Sequence, residues 1–258
     1  MATDILFKVR KLNWVLQQST EGAFSYDELC IILSELMDSN VYVVDKKGGV
    51  VGVHYKIRSD SSAIADERTG GEKLPEEYNE ALLRVIKTKA NLALEDALKI
   101  FKYDHDTKHK LHTVVPIIGG EQRMGTLVLT RYSPEFTDED LVLAEYGATV
   151  VGLEMYRQKA LEQREEQRLT EVVQLAIGTL SYSEIEAVHQ VFEELEGKEG
   201  FLVASKIADR SSITRSVIVN ALRKLESAGI IESRSLGMKG THIKILNHKF
   251  IEGLEKVK

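Results

Sequence analysis

The sequence predicts an α+β chain with an antiparallel sheet and its helices in the N-terminal part and a long helix through the middle. A helix–turn–helix closed by a basic β-hairpin follows at the C-terminal end. Before residue 131, short apolar runs come in two pairs, each pair joined by a glycine-rich turn, as strands do in hairpins. From Thr137 to about Leu180 helical periodicity continues without a proline, far beyond an ordinary globular helix. Between Ala204 and Leu225 two short helical patterns precede a glycine-tipped strand pair.

With 258 residues, 43% of them hydrophobic, the chain can bury one large core or two modest ones. No apolar run approaches the ~18–20 residues of a membrane span. Asp4 lies where a secretory leader would be basic. The single cysteine, Cys30, excludes an internal disulfide and a multi-cysteine metal site, and its place in a helical apolar stripe predicts a core position. A cytoplasmic chain without a membrane partner is expected.

Residues 1–18 are helical in pattern, with Ile5, Val9, Leu12, Val15 and Leu16 on one side. Ser25 reads as the N-cap of a helix from Tyr26 to Met37, with Leu29, Ile32, Leu33 and Leu36 inward. Val41–Val44 and Val50–His54 flank a turn at Asp45, Lys46, Lys47, Gly48 and Gly49. A polar stretch from Ser59 to Lys73 precedes a helix from about Pro75 to Lys87. Strands at 112–118 and 124–130 flank Gly119–Arg123, which lacks the Lys-Ser/Thr of a phosphate-binding loop and reads as a hairpin turn. This order is the layout of GAF or PAS domains. His105 and His109 have zincin-helix spacing, and His112 adds a third imidazole. A metal-dependent hydrolase built on these histidines is therefore the alternative reading, against an exposed loop running into a strand. No Ser-His-Asp or Cys-His arrangement stands out, and no catalytic residue is assigned.

Thr137–Asp140 is a capping signal for the long helix, whose middle, Arg157 to Arg168, is strongly charged as in a solvent-exposed connector. Tyr182 restarts a helix to about Leu195. In the next module Val217, Ile218, Ala221, Leu222 and Leu225 form an apolar stripe, while Arg215, Ser216, Val219, Asn220 and Arg223 follow the same spacing on another side. A helix that docks by one face and offers hydrogen-bonding groups on the other suits a DNA major groove. Thr214 stands at the expected N-cap, and Gly229 at the C-terminal cap. Ile230–Ile231 and Thr241–Ile245 then read as the strands of a wing carrying Arg234, Lys239 and Lys244. Residues 198–258 hold 12 Lys and Arg against 6 Asp and Glu, whereas residues 1–197 hold 22 against 34. An acidic body with a basic end fits a separate winged helix–turn–helix that neutralises phosphates locally.

The segments Ala204–Asp209, Ile213–Gly229 and Glu232–Thr241 closely resemble the CodY global transcriptional regulators of low-GC Gram-positive bacteria. Val114–Gly120, Leu143–Gly152 and Leu180–Glu184 are also similar to that family, and the match spans nearly the whole chain. The resemblance implies a nutrient-responsive repressor of three parts: a GAF-like effector domain over 1–155, a helical linker and dimerisation segment over 156–197, and a DNA-binding winged helix–turn–helix over 198–258. It implies a homodimer or higher oligomer on AT-rich inverted repeats of double-stranded DNA. Isoleucine, leucine or valine, and GTP, would act as small-molecule corepressors, and the variant of this reading is a repressor with a different or lost effector. Contacts to DNA fall to Ala204, Ser205, Ser212, Thr214, Arg215, Ser216, Asn220, Arg223, Arg234, Lys239 and Lys244.

For the amino acid, the family motif Phe-Pro-Glu-Glu-Tyr is matched by Leu74-Pro75-Glu76-Glu77-Tyr78, and Phe101 matches a pocket phenylalanine. The family's carboxylate-binding arginine is replaced by an apolar residue near Ile64, which leaves Arg68 as the nearest substitute and Arg58 as the next. For the nucleotide, the family's Ser-Arg-Arg-Gly-Lys hairpin corresponds to Asp45-Lys46-Lys47-Gly48-Gly49, joined by Glu154 and Lys159.

Overall fold

The computed structural model describes residues 2–18, 24–58, 61, 63–102, 108–195, 197–210, 213–237 and 240–257. They form two compact units, Met1–Lys159 and Ala160–Lys258.

In the first unit α1 (Ala2–Gln18) and α2 (Tyr26–Met37) precede the hairpin β1 (Asn40–Asp45) and β2 (Gly49–His54). Ser25 caps α2 through a hydrogen bond from the Glu28 N–H. Two two-residue strands, β3 (Ile64–Ala65) and β4 (Glu72–Lys73), lie in the stretch read as plain loop. They are too short for a periodicity to show. Helices α3 (Glu76–Leu83) and α4 (Leu94–Ile100) lead to β5 (Leu111–Gly119) and β6 (Gln122–Arg131). The expected helix to Lys87 stops four residues early, where tight bonds from the Arg84 and Val85 N–H groups to Ala81 and Leu82 close it.

The six strands run antiparallel in the order β3-β4-β2-β1-β6-β5. Alternation divides the side chains of the central strands between two cores. Val41, Val43, Val115, Leu127 and Leu129 meet Leu12 of α1, the apolar stripe of α2 with Cys30, and Leu143, Ala148 and Val151 of α5 (Asp138–Gly178). Tyr42, Val44, Val114 and Val128 face the opposite way, against α3 and α4. With both faces covered, β1 and β6 read as continuous apolar runs. Burial pushes the Cys30 thiol well above its ordinary pKa, as expected of a core cysteine.

The β5–β6 turn has two central residues, Gly120 and Glu121, both at positive φ, the two-residue geometry that matches strand twist. Beside it Gly119 of β5 and Gly152 of α5 approach backbone to backbone, so a Cβ on either would collide with a main-chain carbonyl of the other element. The start of α5 is fixed by a reciprocal pair, Thr137 N–H to Asp140 and Asp140 N–H to the Thr137 hydroxyl. Arg131 lies buried against it. It donates to Asp140 Oδ2 at 2.7 Å and to the carbonyls of Met37, Pro134 and Glu135.

The 41 residues of α5 are continuous, and the helix ends at Gly178. Residues 161–168 are exposed throughout, with Arg168 paired to Glu165 within the helix.

In the second unit the end of α5 packs with α6 (Tyr182–Glu194), α7 (Ala204–Arg210), α8 (Arg215–Ser227) and α9 (Phe250–Glu255). A three-stranded sheet runs in the order β7 (Glu199–Leu202), β9 (Thr241–Ile245), β8 (Ile231–Ser235). Strand β7 is missing from the sequence reading because its four residues include Gly200, and strand interiors disfavour glycine. Gly229, at φ +69, ends α8: its N–H reaches the Glu226 carbonyl and the Ile230 N–H reaches that of Leu225, a Schellman closure.

Glu184 joins α6 to α8. It completes the capping box with Ser181, and its carboxylate accepts from Lys224 Nζ at 2.7 Å. The bond from Lys224, then the Ser181 N–H, holds the Glu184 carboxyl below its ordinary pKa of 4.5. A lowered folded pKa gives stabilisation that is complete above the unfolded value and lost as pH falls through the folded one. The melting temperature should therefore decline as pH drops from about 5 toward 3. In Glu184→Gln that decline should be shallower, and thermal melts across this range check it.

Candidate nucleic-acid interface and effector face

Helix α8 has two faces of opposite character. Ile218, Ala221, Leu222 and Leu225 are buried and Val217 is half-buried, whereas Arg215, Ser216, Asn220 and Arg223 are exposed. The buried stripe packs into a core with Ile207 of α7 and Ile213, which fixes the helix and leaves its polar row to solvent. Val219, in the same row by spacing, is half-buried.

Thr214 occupies the N-cap position in extended backbone, as read from the sequence, but its hydroxyl makes no capping bond. It lies 2.9 Å from Ser216 Oγ, so the expected side-chain cap is corrected: the hydroxyl is engaged with its neighbour. On α7, Ser205 is exposed and Ala204 is half-buried against the core. Ser212 and Lys239 lie outside the described residues.

On the wing the register sets side chains in rows. Ile243 points into the core, so the outward face carries the row Phe201, His242, Arg234 and the row Glu199, Lys244, Glu232. Lys244 thus stands between two carboxylates on its neighbouring strands. Arg234 is exposed beside His242, whose ring packs 4.9 Å from that of Phe201. Sequence reading missed this arrangement because it depends on β7.

On the α3–α4 face of the first unit's sheet, Leu74, Tyr78 and Phe101 converge in one buried cluster, with Tyr78 and Phe101 edge to face at 5.8 Å. Pro75 leads into α3 at its N-cap position. Arg68 is exposed in the turn closed by Asp66, Arg58 is exposed over the Tyr55 ring, and Ile64 is exposed in β3. None of the three belongs to the apolar cluster.

The β1–β2 and β5–β6 turns share one end of the sheet, since Asp45 pairs with Gly125. Asp45 is not free for a ligand: its carboxylate accepts from the Lys47 and Gly49 N–H groups at 2.7 and 2.9 Å, which closes the turn. The Lys46 and Lys47 side chains are exposed. Lys159 reaches Gln122 in the neighbouring turn at 2.9 Å, while Glu154 is paired with Arg157 and Gln158.

A residue with no sequence signal is Arg123. Its half-buried guanidinium donates to the carbonyls of Gly125, Val85 and Leu82 and to the Thr126 hydroxyl, tying the end of α3 to β6. The histidine reading is corrected by geometry. His112 is fully buried in β5, stacked 4.4 Å from Phe101, whereas His109 is exposed in a turn, so they share no helical face. His105 lies outside the described residues, and among the described ones no three His, Cys, Asp or Glu groups converge on a metal position.

A sheet domain of this order, joined by one helix to a helix–turn–helix with a wing, defines a two-part DNA-binding transcriptional regulator. Two family descriptions match: "CodY GAF-like domain" over residues 4–179 and "CodY helix-turn-helix domain" over 198–258. The chain belongs to the CodY family of global transcriptional regulators. The regulator of that name from Clostridium acetobutylicum is 54% identical over 255 residues, covering 98% of this chain and 99% of the relative. That from Thermoanaerobacter sp. is 55% identical over 256 residues, covering 99% of each. Among solved structures, the cofactor-binding GAF domain of the nutrient sensor CodY from Clostridium difficile is similar, with 49% identity and a TM-score of 0.50. The match covers 60% of this chain and 99% of that domain.

Proposed function

We propose that the chain is a nutrient-responsive repressor that reads duplex DNA through α8 and the wing. The observation that carries this is the exposed row Arg215, Ser216, Asn220 and Arg223 on a helix whose other face is locked into a core. Arg215, Ser216, Asn220 and Arg223 approach base edges or phosphates, and Thr214, Ala204, Ser205 and Ser212 meet the backbone at the helix N-termini. Arg234, Lys239 and Lys244 hold phosphates from the wing. In this reading residues 1–155 take the effector, 156–197 connect and dimerise, and 198–258 bind an AT-rich inverted repeat as a homodimer in the cytoplasm.

The cluster of Leu74, Pro75, Tyr78 and Phe101 receives the apolar side chain of isoleucine, leucine or valine, with Arg68 as the carboxylate partner when its turn folds inward. Lys46, Lys47 and Lys159 supply cations at one end of the sheet for a triphosphate such as that of GTP, with Glu154 beside them. An effector that favours the DNA-competent state tightens DNA binding by its differential affinity for the two states. The test selects a high-affinity duplex from a random pool with the full chain, then measures its affinity at fixed salt. Isoleucine, with or without GTP, should lower the Kd severalfold. Equal affinity for selected and random duplexes would overturn the reader assignment. An isoleucine-independent Kd would overturn amino-acid sensing alone.

A further inference from the structure

The C-terminal end of α8 is held to the long helix α5 at two separate points. Lys224, in the last turn of α8, donates from Nζ to the Thr179 carbonyl at 3.0 Å and to Glu184 at 2.7 Å. Thr179 directly follows Gly178, the last residue of α5. The second point runs through Asn247, a buried residue in the loop between β9 and α9. Its N–H donates to the Ile230 carbonyl at 3.2 Å, one residue past the Gly229 closure of α8. Its Nδ2 donates to the Leu169 carbonyl of α5 at 2.8 Å, while its Oδ1 accepts the Lys249 N–H and so sets the amide's orientation.

Leu169 and Thr179 stand about 15 Å apart along the helix axis. One attachment would let α8 pivot, whereas two at that separation fix its direction against α5. Apolar contact does not do this alone. Val173, Ala176 and Ile177 share a core with Leu222 and Leu225. An open groove of about 620 Å³, lined by Val172 and Leu175 of α5 and Ser227 and Ala228 of α8, nevertheless runs between the two helices. Glu166 also meets Lys249 at 2.6 Å and His248 at 3.1 Å, but these groups are half-exposed and contribute little. The Asn247 amide differs because it is buried, and breaking its bonds would leave a desolvated donor unpaired. Neither Lys224 nor Asn247 belongs to the row that faces DNA in the proposed reading.

We propose that Lys224 and Asn247 are positioning residues that lock the recognition helix to the long helix, and thereby set the half-site spacing that the regulator accepts. The inference rests on the DNA-reading homodimer proposed above and gives it a spacing rule. Paired long helices carry each locked α8 at a fixed distance and angle, and a dimer of that kind matches only one separation of half-sites. With the lock released, α8 follows a displaced half-site.

The test uses the full chain and the inverted repeat it selects from a random pool, compared with the same repeat carrying two extra base pairs at its centre. That insertion turns one half-site by about 70°, and in the wild type it should raise the Kd about tenfold or more. Asn247→Asp keeps the Oδ1 acceptor and loses the Nδ2 donor, and Lys224→Met keeps the stem and loses both bonds. In each variant the ratio of the two Kd values should fall to about threefold or less. A merely structural role would weaken both complexes alike and leave the ratio at the wild-type value. If Asn247→Asp melts well below the wild type, Lys224→Met carries the comparison. A wild-type Kd indifferent to the insertion, or a wild-type ratio in both variants, would overturn the lock while the DNA reader stands. Selection of a duplex without an inverted repeat would overturn the dimeric reading itself, and the lock with it.

Discussion

Arg215→Ala is expected to weaken selective DNA binding about ten- to a hundredfold while the melting temperature stays at the wild-type value. Arg215 is the first residue of α8, exposed, and no ion pair holds it among the described residues. Among the described residues, therefore, nothing in the fold uses its guanidinium. A bidentate arginine contact to a base edge contributes ~1–3 kcal/mol of discrimination, so its loss brings specific affinity about ten- to a hundredfold closer to the non-specific level. Fluorescence anisotropy with selected and random duplexes at matched salt measures this, and circular dichroism follows the fold. A variant that discriminates between the duplexes as strongly as the wild type would show that Arg215 is not a reading residue.

The second large effect concerns stability. In Arg131→Met the Asp140 carboxylate loses its buried partner, and three carbonyls, of Met37, Pro134 and Glu135, lose a donor. Removing one member of a buried pair costs ~3–5 kcal/mol, because the remaining charge stays desolvated. The methionine keeps an apolar stem but also gives up the guanidinium that lies 4.0 Å over the Phe136 ring, so the loss reports the ion pair, the hydrogen bonds and this ring contact together. Chemical denaturation should show the N-terminal unit destabilised by about that amount. A change below about 1 kcal/mol would mean that solvent replaces these contacts on folding.

Much of this architecture is written in local patterns. Helix α2 matches its expected bounds because a capping serine and an apolar stripe specify it, and the β5–β6 hairpin because glycine marks its turn. The stripe on α8 is equally explicit. What escapes is short or non-local. β3, β4 and β7 run for two to four residues and exist through their partners, not their own periodicity. The roles of Arg123 and Arg131 depend on carbonyls from distant segments, which no spacing reveals. Asp45 looked like an acid placed against a nucleotide, and only the folded turn shows it occupied by backbone N–H groups. The histidine spacing carried no information about depth, which separates His109 from His112.

Residues 198–258 carry twelve cations against six carboxylates, but the folded unit is not as basic as that ratio. Arg210, Lys224 and Lys249 are each neutralised by a carboxylate from upstream in the chain, Glu194, Glu184 and Glu166. Counting those three acids halves the excess of six. Lys256 is held by Glu252, and Lys244 sits between Glu232 and Glu199. Counterion release on a polyanion depends on charges that are unspent when the two surfaces meet. In the proposed reading, the C-terminal unit's grip on phosphate would rest on a few side chains along α8 and the wing, not on its bulk valence.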